Sequence, residues 1–308
     1  MSKIKVSFFG SSEFSIPTLK KILENDDFEL KSIITMPPAK KNRGKKLSNN
    51  VVYDFAVNNG FNNEQIFTPN SLKRNDDVVN ILKNQEVDFI IVVAYGKIIT
   101  KEIIELPKYE ILNLHPSSLP KYRGAAPIER AIENGEEETE ICIMKVDVGL
   151  DTGDVAVRQK YILDKNKFAD EIVADIAEIG ANLMIETIKK TIIGNVIFEK
   201  QKEDGMIYAN KIEKQELFLD LTNKNLDAVN VYNKIRAFNA SGCCYFLLDN
   251  LRVKIIKAEL EVCDNNDKYG FDKKTGYLFF RNGIIKPIIL QKEGKNPLKL
   301  KDFLNGIR

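Results

Sequence analysis

A single histidine serves the 308 residues of this chain. It lies in the run Asn113-Leu114-His115-Pro116-Ser117-Ser118-Leu119-Pro120, followed at once by Lys121-Tyr122-Arg123-Gly124-Ala125-Ala126-Pro127-Ile128. Imidazole both takes and gives a proton near neutrality, so any histidine-based proton transfer here falls to His115. Asn113, two residues earlier on an extended strand, shares its face because side-chain direction repeats every second residue. Downstream, Asp147-Val148-Gly149-Leu150-Asp151-Thr152-Gly153-Asp154 follows the apolar stretch Ile141-Cys142-Ile143-Met144 and sets three carboxylates in a tight acidic loop. Such a loop reads either as a hydrated hairpin turn or as the carrier of a carboxylate that comes beside His115 and orients its ring. An amide, an imidazole and a carboxylate together suit acyl transfer to an amine: the amide steadies an oxyanion while the other two move protons between nitrogens. There is no G-x-S-x-G or comparable nucleophile signature, so direct transfer through a tetrahedral intermediate is expected rather than an acyl-enzyme.

Those side chains need a rigid rim. Lys3 to Gly10 reads as a buried strand ending at glycine, and Ser11-Ser12-Glu13 supplies capping residues before a helix around Pro17 to Leu23. Phe28 to Thr35 repeats the strand signal, Ser71 to Asn84 reads as a helix, and Val87 to Gly96 is the strongest strand. Strands apolar on both faces, alternating with helices, predict a doubly wound, mostly parallel α/β sheet. Ligands of such sheets lie beyond the carboxyl ends of the strands, where Gly10, Gly96 and Asn113 to His115 all fall. The first turn is not G-x-G-x-x-G and no G-x-x-x-x-G-K-[ST] occurs, which disfavours a dinucleotide or P-loop function. Phe168 to Thr191 reads as a long helix and Asn195 to Asn210 as a linker. Short candidate strands then follow (Gly242 to Leu248, Val253 to Ala258, Tyr277 to Phe280, Ile284 to Leu290), predicting a small β-barrel. The expected domains are residues 1–194 and 211–308, with 195–210 between them.

Bulk properties narrow the classes further. No apolar run approaches the roughly 20 residues that cross a bilayer, and Met1-Ser2-Lys3-Ile4-Lys5-Val6 leads straight into a strand without a signal-peptide hydrophobic region, so a cytoplasmic location is expected. Cys142, Cys243, Cys244 and Cys263 lack zinc-site spacing, predicting neither metal nor disulfide. Residues 1–50 hold ten Lys/Arg against five Asp/Glu, 51–201 hold 17 against 25, and 202–308 hold 19 against 14. Basic ends around an acidic middle could position a polyanion.

The run from Asn113 to Ile128, with Leu150-Asp151-Thr152-Gly153 downstream, closely resembles the formyltransferases that use 10-formyltetrahydrofolate, and among them those acting on methionyl-tRNA. Phe8-Phe9-Gly10, Val93-Ala94-Tyr95-Gly96, Lys234 to Asn239 and Leu290 to Pro297 extend the resemblance over nearly the full chain. It implies a Rossmann-like catalytic domain followed by an OB-like barrel, and a catalytic triad of Asn113, His115 and Asp151. It also implies a folate site formed by Val93, Ala94, Tyr95, Gly96, Ser117, Ser118, Leu119, Pro120, Val146 and Asp147. The implied reaction formylates the free α-amino group of initiator methionyl-tRNA for translation initiation, with 10-formyltetrahydrofolate as donor, no metal, no membrane and a monomeric enzyme. Glu140-Ile141-Cys142, where the family usually has Gly-x-Thr, and Ser118, where leucine is frequent, are departures that bear on pocket shape rather than reaction type.

The triad alone does not name the acceptor amine, since relatives formylate amino sugars on nucleotides. Pro37 to Leu47 carries five positive charges (Lys40, Lys41, Arg43, Lys45, Lys46) and no negative one. It resembles the loop by which the tRNA enzymes engage the acceptor stem, where such groups give affinity but little sequence reading. An amino-sugar formyltransferase leaves that loop and the basic carboxyl-terminal region unexplained, and a non-catalytic RNA-binding protein leaves Asn113, His115 and Asp151 unexplained.

Overall fold

The structure is a computed structural model that describes residues 2–41, 46–263 and 268–307; for Lys40, Lys41 and Lys46 the description is of the backbone. The chain divides into two compact units. One comprises Met1–Gly124, Glu140–Tyr161 and Val173–Tyr208; the other comprises Ala125–Thr139, Ile162–Ile172 and Ala209–Arg308.

Ile4–Gly10 forms β1, Ile16–Leu23 α1 and Phe28–Ile34 β2, followed by a hairpin of β3 (Ala39–Lys41) and β4 (Lys46–Ser48). Then come α2 (Val51–Asn58), β5 (Ile66–Phe67), α3 (Asp76–Gln85), β6 (Phe89–Val93), α4 (Lys101–Ile104), β7 (Glu110–His115) and β8 (Lys121–Gly124). Beyond α5 (Pro127–Glu133) lie β9 (Glu138–Lys145), β10 (Val155–Ile162), the long α6 (Ala169–Ile192) and β11 (Ile207–Ala209).

Seven of these strands form one sheet in the order β10-β9-β7-β6-β1-β2-β5. The neighbours from β7 to β5 pair in parallel, and β9 joins β7 antiparallel. Every residue of β6 is buried, as a strand covered on both faces requires, and each such large apolar side chain contributes roughly 1.5–3 kcal/mol. The chain leaves β1 toward β2 on one side and returns to β6 on the other, which opens a crevice at their carboxyl ends. Ser15, beyond β1, is tied to the end of β6 by donating from Oγ to the Val93 carbonyl oxygen at 2.6 Å.

In the second unit, α7 (Ala228–Ala237) buries Ala228, Val231, Tyr232 and Ile235, a helical stripe that packs against the sheet. That sheet holds β12 (Tyr245–Leu248), β13 (Leu251–Val262), β14 (Gly270–Phe271), β15 (Leu278–Phe280), β16 (Gly283–Lys292) and β17 (Leu298–Lys299), and α8 (Leu300–Asn305) ends the chain. Its order is β12-β13-β16-β15-β14, with β17 added to β16. Register shifts around Lys257 put bulges into the β13–β16 pairing, and bulges bend a strand, so this antiparallel sheet curls into a half-barrel.

Several boundaries differ from the sequence reading. The helix expected from Ser71 starts only at Asp76, because Arg74 has a left-handed backbone (φ 55°) and the Asn75 side chain caps the helix by accepting from the Val78 N–H. The strand expected to reach Gly96 stops at Val93, where Ala94 turns to φ 48°. β13 runs to 12 residues, well past the expected Val253 to Ala258. The expected linker contains β11, which pairs with β8, and a bridge in which Glu199 and Val155 exchange backbone hydrogen bonds of 2.8 and 2.9 Å. Among the described residues, no helix is long and apolar enough to cross a membrane.

Candidate active site

β7 carries both residues that opened the sequence argument. Asn113 stands opposite Val92 on β6 and Met144 on β9; His115, two residues on, stands opposite Cys142 at the carboxyl end of the strand. The Asn113 carboxamide is partly exposed and has no hydrogen-bond partner among the described residues. His115 is only 4 % exposed. Its Nε2 lies 3.0 Å from the Tyr122 carbonyl oxygen, and a carbonyl only accepts, so Nε2 carries hydrogen. Nδ1 therefore remains for proton exchange, and it faces Oδ2 of Asp151 at 3.7 Å. Of the three carboxylates in the acidic loop, the one beside the imidazole is thus Asp151. The separation exceeds a hydrogen bond, and catalytic contacts commonly tighten only when substrate is bound.

Three consecutive residues of β8 fasten this arrangement. The Tyr122 carbonyl holds Nε2 of His115, and the Gly124 N–H donates to Oδ2 of Asp151 at 2.8 Å. Between them, the Arg123 guanidinium is 6 % exposed and donates from Nε and Nη2 to Oε1 of Gln201 at 3.1 and 2.7 Å. Gln201 in turn donates from Nε2 to the carbonyl oxygens of Asp151 (2.9 Å) and Gly153 (2.8 Å). The backbone is bent sharply to aim these groups: Tyr122 has φ 61°, rare for a bulky residue, and Gly124 has φ 124°. Asp151 itself sits at φ 53°, where aspartate is tolerated better than most. A Cβ on Gly153 would meet the Lys145 carbonyl oxygen at 2.1 Å, so the loop closes against β9 only with glycine there.

The other expected residues fall into separate roles. Val93 ends β6 beside Gly10 of β1, and Ala94 turns the chain. The Tyr95 ring meets Phe9 edge-on at 5.2 Å; its hydroxyl is buried with no partner among the described residues, and burial pushes the phenol pKa up. Ser117 is fully buried and spends its hydroxyl on the Lys121 carbonyl oxygen (2.7 Å); the Ser118 carbonyl oxygen accepts from the Lys121 N–H at 3.0 Å. Leu119 packs with Cys142, Met144 and Val155, and the peptide joining it to Pro120 is cis. Val146 donates its N–H to the Ile111 carbonyl oxygen (2.9 Å), and exposed Asp147 accepts from the Gly149 N–H (2.9 Å), bracing the loop from within. In the basic segment Lys40 pairs with Leu47 and Lys41 with Lys46, whereas Arg43 and Lys45 lie outside the described residues. No cluster of three or more His, Cys, Asp or Glu side chains able to hold a metal occurs among the described residues.

Sequence reasoning missed Tyr122, Gly124, Arg123, Gln201 and Gly153 as parts of the site. Tyr122, Gly124 and Gly153 act through backbone groups, which leave no residue-type signal. Gln201 lies 78 residues from Arg123 and 50 from Asp151, with nothing local to mark it.

Residues 2–188 match the model of the formyl transferase family, and residues 211–308 match that of the formyl transferase carboxyl-terminal domain. The chain belongs to the formyltransferase family. A methionyl-tRNA formyltransferase from Rickettsia canadensis is 36 % identical over 308 residues, covering 99 % of this formyltransferase and 97 % of that protein. Two solved structures share the fold. A sugar 3-N-formyltransferase crystallised in the presence of dTDP and 5-N-formyl-THF has a TM-score of 0.65 at 22 % identity, covering 96 % of this chain and all (100 %) of that one. Methionyl-tRNA formyltransferase from Clostridium thermocellum has a TM-score of 0.59 at 19 % identity, covering 86 % and 96 %. In the present formyltransferase two of the departures from the family pattern, Glu140 and Cys142, belong to one small network. Arg158 Nη1 donates to Glu140 (3.0 Å) and to the Leu119 carbonyl oxygen (2.7 Å), while Cys142 Sγ donates to the Ser117 carbonyl oxygen (3.1 Å). Glu140 and Cys142 thereby brace the segment from Ser117 to Leu119. Burial pushes the Cys142 thiol up to about 12, which keeps it protonated and unreactive.

Proposed function

We propose that this formyltransferase moves the formyl group of 10-formyltetrahydrofolate onto the α-amino group of initiator methionyl-tRNA. The observation that carries the chemistry is the Tyr122–His115–Asp151 arrangement, which leaves Nδ1 of the sole imidazole as the proton-exchanging atom beside a carboxylate. A folate donor fits the residues at the sheet rim: the unpartnered Asn113 carboxamide and the orphaned Tyr95 hydroxyl both offer hydrogen bonds next to the crevice between β1 and β6. When bound, the folate supplies an activated one-carbon acyl group.

This chain's own groups then do the following. Asn113 donates from its carboxamide to the developing oxyanion. His115 takes the proton of the attacking nitrogen at Nδ1, favours the oxyanion through the charge it then carries, and returns the proton to the departing folate nitrogen as the bond between that nitrogen and the formyl carbon breaks. Asp151 accepts from Nδ1 and balances the imidazolium charge, while Tyr122 fixes the ring so that the exchanging nitrogen is always the same one. Residues 93–96, 117–120, 146 and 147 shape the donor's site, Ser117 and Leu119 by holding the loop and Ser118 and Asp147 from its rim.

Acceptor choice rests on other support. Methionyl-tRNA formyltransferases match nearly the whole chain at about a third identity, as does one from Rickettsia africae at 35 % over 98 % of it. Lys40, Lys41, Arg43, Lys45 and Lys46 supply phosphate-contacting charge. We assign residues 1–194 to catalysis and 211–308 to holding tRNA, and place the monomeric enzyme in the cytoplasm. The deciding assay incubates the protein with 10-formyltetrahydrofolate and either charged initiator tRNA or a dTDP-linked amino sugar, and follows formyl transfer by mass. Formylation of the methionyl group is expected; formylation of the sugar alone would replace this acceptor, and transfer to neither would remove the activity.

A further inference from the structure

Arg123 poses a physical question that the formyl-transfer chemistry does not answer. A guanidinium is buried at considerable cost unless a charge or good acceptors compensate, yet at 6 % exposure Arg123 has no carboxylate partner among the described residues. Its Nε and Nη2 converge on Oε1 of Gln201, and Nη1 points to the sulfur of Met206 at 3.3 Å. The consequence is orientational. With two N–H groups aimed at its oxygen, the Gln201 carboxamide has one orientation only, and its NH₂ must face the opposite way. There it meets the Asp151 and Gly153 carbonyl oxygens at 2.9 and 2.8 Å. Both ends of the amide are thus fully used, Gln201 is 7 % exposed, and the backbone two residues earlier is pinned by the Glu199–Val155 bridge.

We infer that Gln201, locked by Arg123, is a positioning residue that sets where the Asp151 carboxylate stands relative to Nδ1 of His115. Asp151 is held at both its parts: its carboxylate by the Gly124 N–H and its own carbonyl by Gln201. The residue between the two β8 groups that touch the site is the one that orients Gln201. The segment expected to be only a linker therefore carries a determinant of the reaction. This rests on the catalytic reading of His115 and Asp151, and displacement of a catalytic group by about 1 Å is enough to cost on the order of 100-fold.

Gln201→Glu is the sharpest test, because it preserves size and the acceptor for Arg123 but sets a carboxylate oxygen against the two loop carbonyls. Gln201→Met, which fills the same volume with neither donor nor acceptor, is the companion should the charged variant fail to fold. The readout that does not depend on activity is the ¹⁵N imidazole spectrum, which in this chain reports His115 alone. The folded variants are expected to show imidazole resonances displaced from the parent's, turnover lowered at least about tenfold, and KM for the folate and tRNA changed less than about twofold. Imidazole resonances coinciding with the parent's in both variants, or a loss confined to KM, would overturn the positioning role. Displaced resonances in a protein whose parent formylates no acceptor would leave Gln201's role standing while the proposed function fell.

Discussion

With Nε2 committed to the Tyr122 carbonyl, the His115 imidazole has one nitrogen left, and that nitrogen sees Asp151. Asp151→Asn keeps the shape of the side chain and removes its charge. Turnover should fall on the order of 100-fold with the circular dichroism spectrum unchanged, and an equally active Asn variant would remove the carboxylate from the mechanism. Cysteine chemistry gives an independent check at the same scale. Cys142 and Cys244 are fully buried and their thiols are pushed up to about 12 by desolvation. Iodoacetamide at pH 8 should therefore spare both in the native protein and label all four cysteines after denaturation, as counted by mass spectrometry. Much of this scale is legible in the sequence. A lone histidine with an asparagine at strand spacing is a local pattern, whereas the choice of Asp151 among three carboxylates comes from family resemblance, and Arg123 with Gln201 has no local pattern at all.

Among elements, the acidic loop between β9 and β10 is held by close approach rather than by regular pairing. Gly153→Ala must push the loop off the Lys145 carbonyl, with an expected loss of about 1–3 kcal/mol in urea unfolding together with reduced turnover. A parent-like midpoint and rate would mean that the loop yields freely. In the second unit, Arg130 on α5 pairs with Glu216 at 2.7 Å, and this holds the Glu216 carboxyl at about 2. A depressed carboxylate pKa stabilises the fold above the unfolded value of about 4.3, and the stabilisation disappears as pH falls toward about 2. Glu216→Gln should thus cost on the order of 1 kcal/mol at pH 7, given partial solvent screening, and the difference from the parent should vanish near pH 2. A difference independent of pH would contradict an ionic origin. The alternation of apolar strands and helices is legible because each such strand is covered on both faces. Ala94 and Arg74 are not, since a left-handed turn at a residue other than glycine leaves no compositional mark. Nor are the extra residues Glu259 to Val262 of β13, whose strand conformation depends on pairing with Lys286 to Gly283 of β16, more than 20 residues away.

For the whole molecule, the parallel sheet with its reversal between β1 and β6 and the curled antiparallel sheet reproduce the expected α/β plus β architecture. Periodicity predicts layers of this kind well; it does not predict which distant loops meet at their rim. Charge acts at this scale too. If Lys40, Lys41, Arg43, Lys45 and Lys46 contact phosphates, KM for methionyl-tRNA should rise steeply with salt while KM for folate does not. Arg43→Ala should lower that logarithmic slope by roughly one, the share of a single phosphate, and kinetics unchanged across salt concentrations would detach the segment from tRNA.

The most direct measurement is single-turnover formylation of initiator methionyl-tRNA by the parent protein and by His115→Ala, with folding checked by circular dichroism. The account predicts formylmethionyl-tRNA from the parent in proportion to enzyme, and a rate lower by about 100-fold or more in the variant. A folded His115→Ala protein that formylates the tRNA at nearly the parental rate would contradict it.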